Sequence, residues 1–252
     1  WIIRDNVFKN IRAPQGQLAG PAVLMWRNSR NTIVERNLFI ECDRAIALGL
    51  SVPDANARDG ETTYDHQGGI IRNNIIYRAG DGDVGITVNY AANYRIVHNT
   101  IVLNGTFPWT IEYRFSVSSG SVSYNLTDGP IVGRDAATGT LLGNLTGAQT
   151  SWFVDKAHGD LHLVANAPAI GQAATLADVT NDFDGEARPI GAAPDVGADE
   201  YGVPAPAAVT NLRVTTATAS GGTLTATLTW TPPAGATAIL IKSASAPLTE
   251  AN

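Results

Sequence analysis

The chain has 252 residues, 44% hydrophobic and only 16% charged, enough to bury a sizeable core in one large or two modest domains. A formal charge of −6 and a pI near 5.1 exclude a concentrated basic surface, and with it nucleic acid as a partner. No apolar run approaches the ~20 residues that span a bilayer, so no membrane span is expected; the single cysteine, Cys42, rules out an internal disulfide and a thiol-rich metal site.

The 25 glycines and 13 prolines, beside many Val, Ile, Thr and Asn, favour short strands joined by turns over long helices. In chain order, WIIRDNVF (1–8) is echoed by TIVERNLF (32–39), GIIRNNII (69–76), RIVHNTIV (95–102), GSVSYNLT (120–127) and GTLLGNLT (139–146). Each segment sets an asparagine three residues after an aliphatic residue, giving Asn6, Asn37, Asn74, Asn99, Asn125 and Asn144. The spacings of 31, 37, 25, 26 and 19 centre on the twenty-odd residues of one solenoid coil. Coils stacked ~4.8 Å apart would turn these asparagines into a column roughly 24 Å tall. In that column each amide meets its neighbour, so polarity that would cost ~1–3 kcal/mol at an isolated buried position is satisfied.

Between these segments lie second apolar strands: PAVLMW (21–26), RAIALGL (44–50), VGITVNY (84–90), WTIEYRF (109–115) and GPIVGRD (129–135). The column preceding the ladder holds Asp5, Arg36, Asn73, His98 and Tyr124, and its variety predicts outward-facing positions free to vary. A 17-residue insertion, SVPDANARDGETTYDHQ (51–67), interrupts the repeat and ends near His66, the kind of loop on which binding function is placed. Cys42, in FIECDRAI, reads as a small inert core residue.

The repeat resembles the right-handed parallel β-helix superfamily of pectate-lyase-like proteins over residues 1–165. GDLHLVANAPAIGQA (159–173) and NDFDGEARPIGAAPDVGADEY (181–201) resemble the C-terminal closing segment of the choice-of-anchor Q group, which implies an extracellular or cell-surface bacterial protein associated with carbohydrate. Residues 202–208 form a Pro/Ala-rich linker. Residues 209–252 alternate around LTWTPP and resemble the start of a fibronectin type III domain, with Trp230 as its core tryptophan; such a sandwich needs ~100 residues, so only part of one is expected. The fold expectation is therefore all-β: a parallel β-helix over 1–201, closed at its C-terminal side, then a partial β-sandwich. Both ends read as open, to be met by further chain or by another molecule.

Aligning the second strands places Trp26, Gly49, Asn89, Arg114 and Arg134 in one outer stripe, with Glu112 beside it by strand alternation. In a polysaccharide lyase an arginine would abstract the proton α to a uronate carboxyl, and Arg114 and Arg134 are the candidates, with Glu112 as a carboxylate partner. The competing reading is that both arginines bridge Glu112 or Asp135. Asn89, Trp26, His98 and His66 are the candidate substrate contacts. Asp81 and Asp83 in RAGDGDVG are a carboxylate pair suited to hydrolysis or to calcium, and equally to a solvated turn. Asp182 and Asp184 are read either as calcium ligands or as partners of Arg188. The expected function is recognition or cleavage of an acidic polysaccharide. The alternative is a non-catalytic structural or adhesive protein whose solenoid ends are covered by neighbouring subunits through self-assembly.

Overall fold

A computed structural model of the chain describes residues 1–14, 17–53, 58–202, 210–220 and 223–231. The chain divides into two units, Trp1–Gly202 and Val203–Asn252. The first is a solenoid of three parallel sheets. Strands Ile2–Arg4, Ile33–Glu35, Ile70–Arg72, Ala91–Val97, Ser119–Ser123 and Thr138–Leu142 form the main path of the first sheet. The second holds Val7–Lys9, Leu38–Ile40, Ile75–Tyr77, Thr100–Val102, Leu126–Thr127 and Leu145–Thr146; the third holds Val23–Met25, Ile46–Leu48, Ile86–Asn89, Ile111–Arg114 and Ile131–Arg134. Each asparagine segment is therefore two strands, bent at its asparagine from the first sheet into the second.

The register stacks Ile3, Val34, Ile71, Ile96, Val122 and Leu141 directly over one another. All of them but the exposed Leu141 of the last coil pack inward with Phe39, Ile76 and Ile101 of the second sheet and Ile46, Leu48, Ile86, Val88 and Ile111 of the third. Phe8 stacks on Phe39 with centroids 4.8 Å apart. Filling the tube this way removes from water the apolar face of every central strand, the main stabilising contribution to a solenoid.

The asparagine column forms as a ladder of uniform direction. The backbone N–H and Nδ2 of Asn6, Asn37, Asn74, Asn99 and Asn125 each donate to Oδ1 of the next asparagine, at 2.9–3.1 Å. Nδ2 also donates to carbonyls of its own turn and of the coil before, as Asn99 does to Val97 and Ile71. The residue before each ladder asparagine is left-handed: Asp5, Arg36, Asn73, His98, Tyr124 and Gly143, with φ between 51° and 61°. A non-glycine residue in that region costs ~1 kcal/mol, which the ladder bonds offset.

In its middle coils this left-handed column is not the exposed variable position expected from the sequence, whereas Asp5 and Gly143 at its ends are exposed. Asn73 and His98 are 0% exposed and Tyr124 is 6% exposed, because the C-terminal segment lies over them. After the antiparallel pair Phe153–Asp155 and Asp160–Leu163, the chain returns along the flank of the solenoid rather than across its end. Asn73 Nδ2 donates to the Asn181 carbonyl at 2.7 Å, Gly197 N–H donates to the Tyr124 carbonyl at 2.9 Å, and Ala198 N–H donates to Thr100 Oγ1 at 2.9 Å. Arg95 pairs with the Asp178 carboxylate. Beneath this strap, Ile75, Tyr77, Val102 and Leu126 face out of the second sheet and pack on Phe153, Leu161, Leu163, Val179 and Val196 as a second core. The expected closure of the C-terminal side is thus a lateral cover, and among the described residues no strand pairs with the outer edge of the last coil in any of the three sheets.

In the second unit, Thr210–Ser220 pairs antiparallel with Thr223–Thr231. The rest of the stretch expected to form a partial fibronectin-type sandwich, and the linker at 203–208, lie outside the described residues, and one hairpin alone does not define such a sandwich.

Candidate functional site

The third sheet carries the outer stripe in the register expected: Asn89 pairs with Arg114, and Arg114 with Arg134. Trp26 and Gly49 follow the paired residues Met25 and Leu48 on the two preceding coils. Gly49 has φ +75°, and a Cβ there would sit 1.8 Å from the Asn89 carbonyl oxygen, so only glycine fits beside that strand.

Glu112 is the centre of the stripe. One of its oxygens accepts from Arg134 Nη1 at 2.9 Å and from Trp109 Nε1 at 3.0 Å; the other accepts from Thr87 Oγ1 at 3.1 Å. Thr87 in turn accepts from Asn89 Nδ2 at 3.4 Å, while Asn89 Oδ1 is buried without a partner. Arg114 Nε donates to Asp135 at 2.7 Å. Both guanidinium groups also lie over rings, Arg134 over Trp109 and Arg114 over Phe115, each 4.8 Å from the centroid. Phe115 stacks on Tyr90 at 4.2 Å, Phe107 meets Trp109 edge-on, and Arg27 covers Trp26 at 4.9 Å. Phe115, Tyr90, Phe107 and Trp109 were not among the residues singled out from sequence. Their signal was present in the aromatic residues beside two third-sheet strands, Tyr90 after Ile86–Asn89 and Trp109 and Phe115 around Ile111–Arg114.

With three donors held by Glu112, and each arginine already in an ion pair, the stripe is a fixed polar and aromatic surface. It has no free carboxylate pair poised for hydrolysis and no unpaired arginine at its centre.

The two candidate histidines are elsewhere. His66, expected on an exposed loop, is 0% exposed: its Nδ1 bonds Ser29 Oγ at 2.7 Å, and Gly69 lies so close that a Cβ would stand 2.4 Å from Nε2. Burial pushes its pKa down to about 4. His98, expected to point outward, lies under the strap, stacked on Tyr124 at 5.4 Å, with Nδ1 facing Arg188 Nη1 at 3.0 Å. Arginine only donates, so Nδ1 accepts and the ring is neutral with its proton on Nε2; burial, then the Arg188 charge, push its pKa down to about 3. Both rings are buried, where the sequence reading expected them exposed.

Asp83 is engaged by Arg44 at 2.5–2.6 Å and by the Val84 N–H, and the Asp81 carbonyl accepts from Arg12. These are turn contacts, and among the described residues the two aspartates converge with no third ligand. The group that does converge is His162, Asp184 and Asp199, whose ligand atoms lie within 4.8 Å of one another. His162 sits between Asp184 (2.8 Å at Nε2) and Asp160 (2.5 Å at Nδ1), and these bonds raise its pKa to about 10. The cluster is thereby an internally paired ion network. Arg188, expected beside Asp182, instead pairs with Glu200 at 2.7 Å and donates to the Asp195, Gly197 and Ala198 carbonyls. Asp182 accepts the Glu186 and Glu200 N–H groups, so the acidic motif ties the strap to itself. Cys42 is buried, and burial pushes its thiol pKa up, as an inert core residue requires.

No family model, curated protein or solved structure matches the chain.

Proposed function

We propose that the chain binds an acidic polysaccharide at the outer face of the third sheet, as an extracellular or cell-surface bacterial protein. The observation that carries this reading is the register column Asn89–Arg114–Arg134, flanked by rings at Trp109, Phe115 and Tyr90. Stacked strands repeat every ~4.8 Å, so the stripe offers a ligand an extended row of contacts rather than one pocket. Uronate carboxylates suit the outward N–H groups of paired arginines, and the apolar faces of sugar rings suit the aromatic platforms. Binding is favoured over cleavage because Glu112 is held by three donors and both arginines are paired.

The test is affinity electrophoresis through a panel of uronate-containing and neutral polysaccharides, with ultraviolet detection of unsaturated products in parallel. Retardation by uronate polymers is expected, weakened at least ~10-fold by the double change Arg114→Ala and Arg134→Ala and relieved by salt. Absence of retardation on every polymer overturns the reading, and release of unsaturated products would replace binding with lyase action.

A further inference from the structure

The last coil, residues 131–146, ends all three sheets, and among the described residues no strand pairs with its outer edge. All five residues of its first-sheet strand, Thr138–Leu142, are exposed, with Leu141 at 49% and Leu142 at 56%. A hollow of about 360 Å³ opens there, lined in part by Pro130, Ile131, Leu141 and Leu142. An open strand edge is ordinarily guarded by lysine, proline or a bulge. This one is not: residues 136–154 contain neither a charged side chain nor a proline. The charged groups elsewhere in the coil are already paired, Arg134 with Glu112 and Asp135 with Arg114.

We infer that this coil end is a docking surface for a second copy of the chain, joined edge to edge about a two-fold axis by antiparallel pairing of Thr138–Leu142 with itself. Two observations favour a like partner. A two-fold antiparallel pair is self-complementary, since each strand offers the other the same alternation of N–H and C=O groups. The chain carries a formal charge of −6, and this end, whose Arg134 and Asp135 are already paired, is a place where two copies meet with little like-charge repulsion. The hollow, lined by Asn144 and Thr146 as well as by the two leucines, supplies contact area that a strand pair alone would lack. The surface is distinct from the proposed glycan stripe, so its test does not depend on sugar binding.

The experiment is sedimentation velocity of the full chain across a concentration series, beside Thr140→Lys and Leu142→Lys, with circular dichroism to confirm that each variant keeps its strand content. Both positions are exposed, so folding is expected to survive. The expected result is a species of twice the chain mass that both lysine variants convert to monomer. Hydrogen exchange of amides 138–142 is expected to slow as wild-type concentration rises. A wild-type chain that stays monomeric throughout, a dimer unchanged in both variants, or exchange in this strand independent of concentration overturns the inference.

Discussion

Asn99 is the residue on which most of the ladder's logic meets. Its Oδ1 accepts from two groups of Asn74, and its own N–H and Nδ2 donate to Asn125, Ile71 and Val97, all in a fully buried turn. Replacing it with alanine strands the Asn74 donors without water, and a loss of about 3 kcal/mol in urea unfolding is expected, against under about 1 kcal/mol for the exposed Asn6. Equal losses at both positions would mean that the ladder is not the source of the stability. His98 sets a pH dependence of definite sign. It faces Arg188 from the strap and Tyr124 from its own column, and its folded pKa of about 3 lies below the usual ~6.5. The unfolded chain therefore takes up the proton first, so the contribution is complete above about pH 6.5 and falls by about 1.4 kcal/mol per pH unit as pH drops toward the folded value. Asp199, raised to about 6 by burial, acts in the opposite sense, adding stability as pH falls through that value. The comparison that isolates the histidine is wild type against His98→Gln: the stability gap should narrow between about pH 7 and pH 4.5, and a constant gap would contradict the buried neutral ring.

At the level of the strand, the third sheet owes its regular stripe to the narrow fit at Gly49. A side chain there would collide with the Asn89 carbonyl and force φ +75° on an L residue. Gly49→Ala is expected to cost at least about 2 kcal/mol and to shift the strand that holds Asn89, read as a lowered melting temperature together with weaker glycan retardation. The parts legible in the sequence were those with a short-range rule. The asparagine spacing located the ladder, and strand alternation placed Asn89, Arg114 and Arg134 in one column. The histidines and the acidic motif were not legible as they stand. Arg188 meets His98 across 90 residues of chain, so the burial of the left-handed column depends on a partner that no local pattern names. Charged and aromatic residues that look chemical in isolation, such as His66, Asp83 and Asp182, turn out to be spent on turns and on the strap. Trp109 and Phe115 become informative only once the arginines are seen above them.

For the whole molecule, the strap is braced from within by an ion pair of almost complete burial, Arg188–Glu200, with 1% side-chain exposure on each partner, and the same Arg188 reaches the solenoid at His98. Arg188→Ala leaves Glu200 charged and unpaired, and a loss of about 3–5 kcal/mol is expected. Detachment should bare the outer face of the second sheet, detected as dye binding to exposed apolar surface while the circular dichroism of the solenoid persists; loss of both signals together would mean that the tube cannot stand without its cover. A stack of coils touching only its neighbours has no intrinsic reason to melt as one body, because each end can fray independently. The strap contacts Arg72 and Asn73 in the third coil, Arg95 and His98 in the fourth, and Tyr124 in the fifth. Those three coils are thereby bound into a single cooperative block, with the outer coils left to open separately, so amide exchange should fall into two classes along the axis: slow and concerted in the middle, faster and graded toward either end.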